Sequence, residues 1–125
     1  SEVYCSPFTK RNIQRLNKVY QYVRDHFTDE IMLEDIANVA NMTPTSFCKF
    51  FKKQTQKTFS NFVNELRIGY ACKLLFDENL TISEICYKCG FNNLTSFHSN
   101  FKAFTKKTPG EYRLNLNAKK HPGVA

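Results

Sequence analysis

Apolar residues recur along the chain at intervals of three and four, and few stretches alternate with period two, so the pattern predicts helices and no sheet. From Arg11 to Phe27, the side chains of Ile13, Leu16, Val19, Tyr20, Val23 and Phe27 trace one stripe with Asn12, Lys18 and Arg24 off it, which predicts a first amphipathic helix. Thr28-Asp29-Glu30 interrupts the stripe. Leu33, Ile36, Ala37 and Ala40 then give a helix of about two turns, closed by Asn41-Met42. Thr43-Pro44 signals the next start, because a threonine hydroxyl can cap exposed N–H groups and proline at the first helical position has no N–H to lose. That helix carries Phe47, Phe50, Phe51 and Gln54 on one side and ends near Thr55. Thr58 opens a longer one, with Phe59, Phe62, Val63, Leu66, Tyr70, Leu74 and Leu75 along a face that runs to Phe76.

After Asp77-Glu78-Asn79 the pattern begins again. Ile82, Ile85, Cys86 and Cys89 mark a short helix, Gly90 stops it, and Phe97, Phe101 and Phe104 mark a longer one whose apolar side chains are expected to point inward. Leu33-Glu34-Asp35-Ile36-Ala37 lies over Ile82-Ser83-Glu84-Ile85-Cys86, and Ser46-Phe47 with Phe51-Lys52 lies over Ser96-Phe97 with Phe101-Lys102. The offset moves from 49 to 50 residues at a one-residue insertion in the turn around Asn92-Asn93. The chain is therefore read as all-α, with two helix-turn-helix subdomains joined by a long linker helix. Residues 1–10 read as a linker remnant, 11–76 as the first subdomain with its connecting helix, 77–113 as the second, and 114–125 as a flexible tail.

At 100° per residue the inward phenylalanines leave Thr45, Lys49, Lys52 and Gln56 on the opposite face of the first copy, flanked by Ser46, Cys48 and Lys53. The second copy presents Thr95, Ser99, Lys102 and Lys106, flanked by Ser96, His98 and Ala103. Both faces are Ser/Thr-rich at the helix start and Lys-rich towards its end. No acid lies between Asp35 and Glu65 or between Glu84 and Glu111. One Lys-bearing face is ordinarily just solvated surface; the same acid-free face on the same element of two copies points to a shared anionic partner. Short hydroxyl, thiol and imidazole side chains on the first turns can approach base edges, while Lys52, Lys53, Lys102 and Lys106 can reach phosphates and His98 flanks the second face.

Charge and composition agree with that reading. Eighteen Lys and Arg against eleven Asp and Glu leave a net charge of +7, which favours a polyanion, either nucleic acid or an anionic membrane surface. No apolar run exceeds three residues, so a membrane-spanning helix is excluded. Five Cys at uneven spacing do not form a disulfide framework and suit the reducing cytoplasm. A first residue of Ser rather than Met fits a processed or excised fragment, as it fits a purification scar. Cys86-x-x-Cys89 with His98 is the one zinc-like signal, but these cysteines lie over Ala37 and Ala40, where helices that cross closely need a small buried side chain. Neither a metal nor a cofactor is expected. With no phosphate-cradling glycine loop, H-E-x-x-H or nucleophile elbow, no enzyme activity is expected either. A helical protein-interaction or RNA-binding module using the same basic faces is the competing reading.

Leu33-Glu34-Asp35-Ile36-Ala37, Met42-Thr43-Pro44, Phe51-Lys52-Lys53, Arg67, Ala71 and Leu74-Leu75 resemble the first half of the DNA-binding region of the AraC/XylS family of transcription regulators. Ile82-Ser83-Glu84-Ile85, Gly90-Phe91, Phe101-Lys102 and Thr108-Pro109-Gly110-Glu111-Tyr112-Arg113 resemble its C-terminal signature. The resemblance covers about residues 12 to 113 and implies seven helices, with two recognition helices entering successive major-groove segments of double-stranded DNA. Carried over position by position, it implies base-edge contacts from Thr45, Ser46, Cys48 and Lys49 in the first unit and from Thr95, Ser96 and Ser99 in the second, with His98 as a further candidate DNA contact. It implies RNA polymerase as a further partner, and an effector-binding or dimerisation domain N-terminal to this region. The chain departs from the family pattern at Cys86 and Cys89, at Gln56-Lys57 where a glycine commonly ends the first recognition helix, and in having no Arg on either predicted recognition face.

Overall fold

A computed structural model describes the backbone of residues 7–120 and the side chains of residues 9–119. Its seven helices are α1 (Pro7–His26), α2 (Leu33–Val39), α3 (Pro44–Thr55), α4 (Phe59–Leu74), α5 (Ile82–Lys88), α6 (Leu94–Thr105) and α7 (Pro109–Lys120), and no strand occurs among the described residues.

Local chemistry sets where these helices start and stop. Thr43 Oγ1 accepts from the Ser46 amide at 3.2 Å to open α3, and Asn93 Oδ1 accepts from the Ser96 amide at 2.7 Å to open α6. Thr81 with Glu84 and Thr108 with Glu111 form reciprocal capping boxes at the starts of α5 and α7. Each short helix ends on a left-handed residue, Asn41 (φ 56°) after α2 and Gly90 (φ 110°) after α5. The next amide then reaches back to the helix, Met42 N–H to Ala37 O at 2.9 Å and Phe91 N–H to Cys86 O at 3.1 Å. This bonding satisfies carbonyls that the helix end leaves free and turns the chain sharply into the longer helix. The longer helices also end on left-handed residues, Gln56 (φ 64°) and Lys106 (φ 67°). At Gln56 the backbone thus takes the conformation that a glycine would favour, without the glycine.

The chain divides into two compact units after Phe62. In the first, Phe47 and Phe51 are fully buried, with Phe59 edge-on to both (5.3 and 5.5 Å between ring centroids), Phe62 at 5.4 Å from Phe51 and Tyr20 of α1 at 6.5 Å. In the second, Phe97 and Phe101 are fully buried beside Phe91 and Tyr112, within a core that includes Ile68, Ala71, Leu75, Ile85, Cys86 and Cys89. Arg113 of α7 donates from Nε to Leu75 O and from Nη2 to Asp77 O, tying α7 to the chain that follows α4. Cys86 and Cys89 are fully buried, as Ala37 and Ala40 are in the first copy.

Several expected boundaries and burials differ. Helix α1 begins at Pro7, so residues 7–10 are helical rather than linker; residues 1–6 lie outside the described part. Helix α7 continues through residues 114–120, where a flexible tail is expected from the sequence, because its capping box opens a helix that no glycine or proline stops before Pro122; residues 121–125 are again outside the described part. The division between units falls inside α4 rather than at 76, because Ile68, Ala71 and Leu75 pack into the second core. In α1, Asn12 is buried (7% exposed) and Ile13 is exposed (47%), the reverse of the stripe reading. Asn12 stands seven and eleven residues before Val19 and Val23, two turns and three turns back on the same face, whereas Ile13 is rotated 100° from it. Phe104 is 38% exposed and its counterpart Gln54 is exposed as well, so the inward face ends a turn before each longer helix does.

Gly69 lies in the middle of α4, is exposed, and a Cβ built there meets nothing within 4 Å. Gly69→Ala should stabilise the chain by about 1 kcal/mol, raising the melting temperature by roughly 4 °C in thermal unfolding. Burial pushes the Cys89 thiol up to about 12 and raises that of Cys86 as well, whereas Cys48 is exposed. An alkylating reagent at pH 8 should therefore label Cys48 in the native protein and Cys89 only after denaturation, as read by peptide mass spectrometry.

Candidate nucleic-acid interface

The two helices that follow the turns, α3 and α6, are held by their phenylalanines four residues apart, and this fixes which side chains face outward. On α3, Thr45, Ser46, Cys48, Lys49, Lys52 and Lys53 are all exposed, with Thr45, Ser46, Cys48 and Lys49 gathered on the first two turns. On α6, Thr95, His98, Ser99 and Lys102 are exposed, and Lys106 caps the helix end. Ser96 is only half-buried rather than fully outward: Asn100 Nδ2 donates to its carbonyl at 2.9 Å and to its Oγ at 3.4 Å. The His98 ring stands edge-on to Phe97 at 5.8 Å, so the core phenylalanine also supports an outward side chain.

Two of the lysines expected to meet phosphates are engaged with their own helix ends. Lys52 Nζ donates to Gln56 O at 3.3 Å, and Lys106 Nζ donates to Ala103 O at 3.1 Å. A cation there complements the negative end of the helix dipole, and an ammonium keeps further donors for a second acceptor. Lys57 and Lys107 follow the two helices, both exposed, with their amides accepted by Thr55 Oγ1 and Thr105 Oγ1 at 3.2 Å. These two lysines stand at matching positions of the two copies, 50 residues apart, and are not among the residues that the outward faces mark. Leu94, the first residue of α6, lies outside that set too and is 37% exposed.

The arginines of the second unit serve the core instead. The Arg67 guanidinium sits 5.8 Å over the Phe91 ring, where burial lowers its pKa and Cys89 offsets part of that shift. Among the described residues no three His, Cys, Asp or Glu side chains are placed to hold a metal ion, and no helix is long and apolar enough to cross a membrane.

Comparison with known proteins gives this arrangement a family. Residues 36–115 match a family model described as a helix-turn-helix domain. The chain is 32% identical over 108 residues to regulatory protein PocR of Salmonella typhimurium, covering 86% of this chain and 36% of that protein. It is 28% identical over 109 residues to the transcriptional activator RhaS of an Enterobacter species, covering 87% of this chain and 39% of that one. The chain thus spans little more than a third of the length of these relatives. In fold it is similar to the DNA-binding domain of AdpA, solved in complex with a target DNA (TM-score 0.78, 22% identity, 87% of this chain and 98% of that one). It is similar also to a regulator from Chromobacterium violaceum with an AraC-type DNA-binding domain (TM-score 0.75, 23% identity, 89% and 96%). With two capped helix-turn-helix units and a family match over more than half its length, the chain belongs to the AraC-type helix-turn-helix family of transcriptional regulators.

Proposed function

We propose that this chain is the sequence-reading domain of a bacterial transcription regulator and binds double-stranded DNA through α3 and α6, each entering one of two successive major-groove segments. The observation that carries the reading is the recurrence of one exposed, acid-free face on two N-capped helices, Thr45 to Lys53 and Thr95 to Lys102. Short hydroxyl, thiol and imidazole groups on the first turns suit base edges. The lysines further along, Lys52, Lys53, Lys102 and Lys106, suit phosphates. The protein acts in the cytoplasm, without enzyme activity of its own, as part of a longer regulator that carries an effector-binding or dimerisation domain and meets RNA polymerase.

Affinity for duplex DNA, single-stranded RNA and heparin at matched salt tests the class of partner, because a recognition helix needs the duplex groove. A preference for duplex supports the reading, and equal affinity for all three contradicts it. Selection from random duplexes should then return two non-palindromic half-sites about one helical turn apart.

Lys49→Met removes a charged donor while keeping the stem, and should cost about 1–3 kcal/mol at one base pair of one half-site. Lys102→Ala should weaken every duplex alike and lower the salt dependence of binding by about one unit of slope. Binding isotherms over a salt series distinguish the two effects; a uniform loss from Lys49→Met would make that residue a phosphate contact instead.

A further inference from the structure

The two outward faces are not equivalent, and the differences run in one direction. Where α3 carries Lys49 and Lys53, α6 carries Ser99 and Ala103 at the matching positions. Where α3 begins with Pro44, half-buried, α6 begins with Leu94, 37% exposed. Within α6 the residues from Leu94 to Phe101 include no Lys, Arg, Asp or Glu, and its charged outward residue, Lys102, comes two turns in. The part of α6 that would enter a groove first thus presents an apolar side chain, the methyl and hydroxyl of Thr95, the His98 imidazole and the Ser99 hydroxyl. Leu94 is not part of the buried core of this unit, and 37% of its surface stays exposed.

In the major groove the apolar feature that distinguishes one base pair from another is the C5-methyl group of thymine. We propose that Leu94, with the Thr95 methyl beside it, is a specificity-determining residue that reads thymine methyl groups, so that the half-site met by α6 is thymine-containing while that met by α3 relies on the Lys49 donor. This rests on the reading of α6 as a recognition helix. It adds to it the chemical feature read and a side chain outside the polar set from which base contacts are usually drawn. The interaction is burial of one methyl group against another apolar surface, which is worth about fourfold in affinity for each methyl contacted.

Deoxyuridine pairs as thymine does and lacks only that methyl, so it isolates the contact. Using a duplex obtained by selection, the thymines of each half-site are replaced by deoxyuridine one half-site at a time, and affinities are measured for the parent chain, Leu94→Ala and Leu94→Met. The parent chain should lose about fourfold per contacted methyl in one half-site and little in the other. Leu94→Ala should bind the thymine duplex about as weakly as the parent binds the deoxyuridine duplex, with no further loss on substitution, and Leu94→Met should keep the sensitivity. Helical circular dichroism and the melting temperature establish that each variant is folded. Duplex binding that is indifferent to deoxyuridine in both half-sites, or Leu94→Ala retaining the parent's sensitivity, overturns this inference and leaves the function standing. Failure of the parent chain to prefer any duplex over heparin overturns both.

Discussion

The pairs of phenylalanines on the inner faces of α3 and α6 are the contact on which the rest depends. Phe47 with Phe51, and Phe97 with Phe101, are fully buried, and each pair lies one helical turn apart. Burying a phenylalanine side chain contributes about 1.5–3 kcal/mol, and truncating one in a core costs about 3–5 kcal/mol. Two such side chains in register leave their helix little freedom to rotate about its axis. The outward face is fixed by the same act. Thr45, Lys49 and Lys52 on one helix, and Thr95, Ser99 and Lys102 on the other, are exposed because their neighbours are buried.

The tight turns hold this arrangement in place at the other end. A left-handed residue after each short helix, followed by an amide that returns to the third carbonyl from the end, lets the chain reverse within two or three residues. Alanine or cysteine at the buried positions of the short helix keeps the approach close. In the second copy one extra residue separates the helix stop from Asn93, yet Asn93 caps α6 as Thr43 caps α3. The insertion is absorbed in the turn, so the capped start of the longer helix is kept. Cys86 and Cys89 belong to this packing, and burial, which raises the pKa of both thiols, makes them poor nucleophiles.

The repeat, the caps and the inward phenylalanines were legible in the sequence because each is a local pattern: a period near 3.6, a Thr-Pro start, a pair of aligned motifs. What was not legible depended on tertiary context. Asn12 is buried because it shares the face of Val19 and Val23, yet a polar residue weighs against burial in any hydropathy reading. Phe104 keeps the helical spacing of Phe97 and Phe101 yet is exposed, because periodicity reports a face and not how far along the helix its burial runs. The partition of α4 between two units follows from which core receives Ile68, Ala71 and Leu75. Leu94 carries no polar signal that would mark it as a base reader, although an exposed apolar side chain at the start of such a helix is informative for that reason.

In the proposed function the inner phenylalanines set which two faces would meet DNA, and a residue-by-residue map of the bound surface tests that most directly. Backbone amide chemical shifts recorded while a selected duplex is added should move most from Thr45 to Lys49 on α3 and from Leu94 to Ser99 on α6, with smaller changes near Lys52 and Lys102. Shifts concentrated on α1 or α7 instead, with the first turns of α3 and α6 unmoved, would contradict it.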